Sequence, residues 1–259
     1  MAVLSRGKTA VPLSFEQFGN RFWRSPQTHH FVNAMGVIPL ASQEIGAMVT
    51  EFPIYFGQHQ ADWTVFTDLG SSVSESILDA DRLLVTKGRP FLVNTYPFTA
   101  ISVEGSWALG VFDDPKYVSE TGRAFFDDGK PSQTVRQVTK RMAQFLEGRK
   151  LAGSLAKALA EAGVLRCDKP RDASGWSIWQ VDESKLAGIE QGQLCALHEN
   201  GGLALAYAQV ISQVHTRTSV KPKTRPAPAK APQMSDGFLD AIMNDIDDPD
   251  ADGMGTLIQ

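Results

Sequence analysis

The spacing of apolar residues changes character once along this chain, and that change limits the fold more than any other feature. Between residues 37 and 112 the apolar residues come in short runs. These are Val37-Ile38-Pro39-Leu40, FPIYF at 52–56, WTVFTDLG at 63–70, RLLVTKG at 82–88 and YPFTAISVEGSWALGVF at 96–112. Gly, Asp and Ser join these runs through few residues. A parallel pair needs a crossover of about a dozen residues or more, so connections this short predict an antiparallel sheet. After Pro131 the period becomes helical. Val135, Val138, Met142, Phe145 and Leu146 share one face, and Leu151, Leu155 and Leu159 continue it to Gly163. Ser132 is placed to cap this helix, and Gly148 and Gly153 are the points at which it would bend or break. The fold class is therefore α+β, a mostly antiparallel sheet in the N-terminal half packed by C-terminal helices.

Smaller elements follow from the same reasoning. Phe15, Phe18, Phe22 and Trp23 recur at helical spacing after Ser14, and Ser42 begins a short helix through Glu51. SIWQVDESKLAGI predicts a strand and then a helix start near Asp182. Leu186, Ile189, Leu194 and Leu197 form a helical face that Gly201-Gly202 ends, and LALAYAQVISQVH is alanine-rich and long enough to be helix.

Near residue 216 the composition shifts. From Arg217 to Ser235 the chain carries five basic residues, four prolines and no aromatic, which predicts an extended, disordered linker. The segment after it holds seven Asp residues between 236 and 252 and no basic residue. Linker and tail together account for −2 of the total −4, leaving −2 on the first 216 residues. The near-neutral body argues against nucleic acid as a partner. Four regions result: an N-terminal extension over 1–29, an α+β body over 30–216, a basic Pro/Ala-rich linker over 217–235 and an acidic amphipathic tail over 236–259.

In the tail, Ser235 is a cap for a helix on which Phe238, Ile242 and Ile246 are four residues apart, with Leu239 and Met243 beside them. Twelve residues make a marginal helix in isolation, so this stripe predicts a recognition helix that orders in a protein partner's groove. Asp248, Asp250 and Asp252 occupy positions 1, 3 and 5 of an EF-hand-like loop with Gly253 at position 6. Position 12 is Gln259 in place of a bidentate Glu, which makes this a weak calcium candidate.

Read in order, several segments resemble the SapC family of bacterial proteins, named from a surface-layer protein locus. They are Val37-Ile38-Pro39-Leu40 with Glu44, Phe52-Pro53-Ile54-Tyr55-Phe56, Tyr96-Pro97-Phe98, GRAFFDDGKPS, LAKALAEAGVL and the stretch from Val181 to Gln213. Family members usually carry an Arg pair just before the Tyr-Pro-Phe element. This chain has Asn94 and Thr95 there, with Lys87 and Arg89 the nearest cations. The resemblance implies an association with bacterial surface-layer or envelope systems and supplies no catalytic residues.

The residues themselves point away from an enzyme without excluding one. His29, His30, His59, His198 and His215 form no HExxH, no Ser lies in GxSxG, and GGLALAYAQ lacks the Lys-Ser/Thr of a phosphate-binding loop. Cys167 and Cys195 are outside any CxxC spacing, which predicts reduced thiols and no metal or cofactor. Asp113-Asp114 and Asp127-Asp128 are paired carboxylates of the kind that cap turns. With no run of about 18 apolar residues and no signal-peptide core, the expected location is cytoplasmic, or cell-surface associated by a leaderless route. The leading reading is a non-enzymatic adaptor or accessory protein that recruits a partner through its C-terminal helix. The alternatives are a peptide- or glycan-modifying enzyme with an aromatic-lined pocket near Tyr96 or Trp107, and a virion or replication accessory protein.

Overall fold

The computed structural model describes residues 9–29, 31–69, 88–173 and 175–214. The expected strand over 82–87, the linker and the tail lie outside the described residues. The N-terminal elements are β1 (Ala10–Pro12), α1 (Phe15–Phe18), β2 (Phe22–Trp23), α2 (Val32–Met35) and β3 (Val37–Pro39). After a 3-10 turn at Ser42–Glu44 come α3 (Ile45–Met48), β4 (Ile54–His59), β5 (Asp62–Asp68) and α4 (Phe91–Asn94). The middle of the chain holds β6 (Phe98–Val103), β7 (Ser106–Phe112), β8 (Val118–Ser119), β9 (Arg123–Ala124), β10 (Phe126–Asp127) and β11 (Lys130–Pro131). Then follow α5 (Gln133–Glu161), β12 (Leu165–Lys169), β13 (Trp176–Val181), α6 (Glu183–Ala187), α7 (Gln191–Asn200) and α8 (Gly202–Ser212).

Every strand pairing among these elements is antiparallel, as the short connections require. The largest sheet has the order β12-β13-β4-β5-β3, and a second has the order β1-β7-β6. β12 and β13 extend the main sheet past the N-terminal half, beyond the stretch where strand-like spacing was densest. The residues before 30 are also no mere extension. Ala10 to Pro12 add an edge to β7, and Phe22-Trp23 is the central strand of the small sheet β8-β2-β9. The expected helix over Phe15–Trp23 therefore stops at Phe18. Ser14 caps it by accepting the Gln17 N–H at 3.4 Å, and Phe22 and Trp23 are taken by pairing with Val118, Ser119, Arg123 and Ala124.

The long helix α5 runs unbroken for 29 residues, capped by Ser132 as its sequence predicts. Gly148 and Gly153 do not break it. A Cβ on Gly153 would lie 2.5 Å from the backbone carbonyl oxygen of Trp63, so glycine here is what lets α5 approach β5 closely. Buried aromatics fill the space around the second sheet. Phe31 stacks on Tyr96 with ring centroids 4.0 Å apart, and Tyr96 meets Phe112 and Tyr117 at 5.5 and 5.2 Å. Trp23, Phe98, Phe18 and Phe125 form a neighbouring chain of ring contacts.

Candidate functional site

The main sheet forks. β4 and β13 pair from Trp176↔His59 to Trp179↔Phe56, and the ladder stops there. Past that point, backbone groups of Ile54 and Val181 face each other without a strand between them, a costly arrangement when buried. The last described helix supplies their partners. The Gln209 side chain is buried and bridges the fork: its Oε1 accepts the Val181 N–H at 3.0 Å, and its Nε2 donates to the Ile54 carbonyl at 3.3 Å. Ser212 Oγ accepts the Ile54 N–H at 2.9 Å, and Gln213 Nε2 donates to the Ile54 carbonyl at 2.7 Å. A Gln on the inward face of an otherwise apolar helix was the sequence signal for this bridge, and the apolar pattern drew attention away from it.

The fork opens into a cleft of about 240 Å3, lined by Tyr55, Arg166, Gln180, Glu183, Gln209 and Gln213 together with two valines. Arg166 reaches across to Gln180 Oε1 at 3.3 Å. Burial pushes the Tyr55 hydroxyl above the ordinary phenol range, and the carboxylates of Asp68 and Asp168 add to that, so Tyr55 remains a hydrogen-bond donor. One cation, one carboxylate, a phenol and three carboxamides suit the binding of a polar ligand. This lining contains no His, Cys or Ser to act as nucleophile or base.

A second cleft, of about 210 Å3, lies between the 3-10 turn and α5, lined by Gln43, Glu44, Phe91, Arg141, Gln144 and Phe145. Glu44 holds that corner together. One carboxylate oxygen accepts the Ala41 N–H at 2.8 Å and the other the Phe91 N–H at 2.5 Å. Burial raises the Glu44 pKa despite those two bonds, which act to lower it.

Tyr96 and Trp107 are not brought together. Tyr96 is only 2% exposed, inside the aromatic stack, with its hydroxyl 3.2 Å from Asp114 Oδ2. Trp107 is 45% exposed and pairs with Ser102 at the far end of the β6–β7 hairpin from Phe98. Neither lines the two clefts above. The acidic pairs are structural in their visible contacts. Asp113 makes a bidentate pair with Arg21 at 2.7 and 2.8 Å, Asp114 accepts the Lys116 N–H, and Asp127-Asp128 border the β10–β11 turn. Among the described residues, no three His, Cys, Asp or Glu side chains are grouped to hold a metal ion, and no helix is long and apolar enough to cross a membrane. Phe238, Leu239, Ile242, Met243 and Ile246, and the weak calcium candidates Asp248, Asp250 and Asp252, lie outside the described residues.

No curated protein and no solved structure matches the chain. A family model does: the SapC model matches residues 13–218, which takes in the main sheet with its forked strands, β6 and β7 of the second sheet, and the long helix. The chain belongs to the SapC family.

Proposed function

We propose that this protein is a non-enzymatic adaptor or accessory protein of a bacterial surface-layer or envelope system. In this reading the C-terminal tail recruits a protein partner through Phe238, Leu239, Ile242, Met243 and Ile246. The observation that carries it is the mounting of α8. The helix leading toward the tail is tied by buried side-chain bonds from Gln209 and Ser212, and by Gln213, to two strands of the main sheet. Bonds from its side chains to buried backbone groups fix this helix to the sheet more firmly than apolar contact alone would. Family membership supports the envelope setting, since the family takes its name from a surface-layer locus.

The test is capture of partners from a native extract by the full chain and by the Phe238→Ala/Ile242→Ala double variant. The variant should recover at least tenfold less partner while its thermal melt is unchanged. Equal recovery by both proteins would reject the tail as the recruiting element.

A further inference from the structure

The cleft at the fork carries one charge of each sign in its lining, and the two do not meet. Arg166 stands on β12 opposite Gln180, and Glu183 opens α6 just past the end of β13. Both line the cleft and both are exposed, yet among the described residues neither has an ion-pair partner. Arg166 gives one N–H to a neutral amide oxygen, Gln180 Oε1 at 3.3 Å, of the five that a guanidinium can donate. The cation nearest to Glu183 in sequence, Lys185, is turned to Asp182 at 3.9 Å.

The floor of the cleft is preformed. Gln209 is only 1% exposed, and both ends of its amide are engaged by Val181 and Ile54. Such a floor spares a ligand the entropy of ordering its own site. Tyr55, Gln180 and Gln213 stand partly exposed in the lining with a phenol and two carboxamides, and Val210 is the one apolar side chain besides the buried Val181. The space, about 240 Å3, is that of roughly eight waters. It is too small for a helix or a sugar chain and suits a molecule the size of a free amino acid.

We propose that the cleft binds a polar α-amino acid as its zwitterion, with the carboxylate on Arg166 and the ammonium on Glu183. A ligand carrying both charges answers both walls at once. A simple anion would be attracted by Arg166 and repelled by Glu183, and a simple cation the reverse. The guanidinium fork matches the two oxygens of a carboxylate, and the Glu183 oxygens accept from the ammonium. The ligand's side chain then lies among Tyr55, Gln180 and Gln213. There a hydroxyl or carboxamide finds hydrogen-bond partners, and a large apolar group would leave those partners unsatisfied. This site belongs to the body and does not rest on recruitment by the tail.

The test is calorimetric titration of the full chain with L-serine, L-threonine, L-asparagine and L-glutamine, with thermal melts alongside. Each is added up to about 10 mM, which covers the millimolar-to-micromolar affinity open to so small a ligand. At least one should bind and raise the melting temperature, and L-leucine and L-phenylalanine should bind about tenfold more weakly or not at all. The N-acetyl form of the ligand, which has no ammonium, and its amide, which has no carboxylate, should each lose about tenfold or more. Arg166→Gln and Glu183→Gln, both at exposed positions, should weaken binding to the same degree and leave the melt of the unliganded protein unchanged. In Arg166→Gln the acid and its amide should bind alike, which a merely structural role of Arg166 would not produce. Absence of binding by all four amino acids overturns the proposal, as does equal binding of the acetylated and amidated forms, or binding that survives either variant. The Phe238→Ala/Ile242→Ala variant should bind as the wild type does, so a failure of the recruitment reading and a failure of this one are read separately.

Discussion

Gln209 shows how much one side chain can decide when it sits where two strands part. Its amide satisfies a donor on Val181 and an acceptor on Ile54, and nothing of the same shape without an amide does both. Gln209→Leu keeps the volume and strands the Val181 N–H, while the Ile54 carbonyl keeps its bond from Gln213, which should cost about 1–3 kcal/mol. Urea unfolding checks it as a lowered midpoint at unchanged slope. Glu44 poses a different problem, because each of its oxygens accepts one backbone N–H and a neutral amide has only one acceptor. Glu44→Gln should therefore destabilise. The pH dependence has a fixed sign. Burial raises the folded-state pKa above the unfolded value, so the native state binds the proton more readily over the interval between them. The Glu44 contribution to stability should grow as pH falls from neutral through that raised value, and level off below the ordinary carboxylate range near pH 4. Unfolding of the wild type and Glu44→Gln at a series of pH values gives this as a widening gap toward acid; a gap constant with pH would contradict it.

Among the elements, α5 was legible because eight turns of 3.6-residue periodicity and a serine cap all agree. What its sequence could not show was the purpose of its glycines. Glycine in a helix reads as a weak point when only the helix is in view, and Gly153 becomes a contact surface once β5 lies across it. Gly153→Ala separates the two meanings. Propensity alone would stabilise the helix by about 1 kcal/mol, whereas a Cβ pressed on the Trp63 carbonyl should destabilise the protein by about 1–3 kcal/mol. A drop in melting temperature is the expected result. Short elements were harder to read. The stretch Phe15–Trp23 has helical spacing, yet Phe22 and Trp23 pair as a strand because two other segments arrive to bond them. Tyr96 suggested a pocket wall from its neighbours in sequence and is instead the centre of an aromatic stack, since contact partners more than a dozen residues away are invisible to local pattern.

For the molecule as a whole, antiparallel order and the helical second half could be read from spacing, and the division of strands between sheets could not. β13 joins β4 across more than a hundred residues, and no periodicity encodes a partner. The polar cleft was equally hidden, because it exists only where those distant strands diverge. Since α8 closes that divergence, a chain ending at Asn200 should lose the cooperative thermal transition even though every strand of the main sheet is still present. Retention of a sharp melt would show that the sheet stands without its helix.

That closure also sets a timetable for the chain's birth. Ile54 and Gln209 are 155 residues apart, so at a synthesis rate of about 5–20 residues per second the forked end of β4 waits roughly 8–30 seconds for its partner to leave the ribosome. Throughout that interval β4 has β5 on one side and an open edge on the other, and a nascent chain in this condition is a natural client for chaperones that shield unpaired strands.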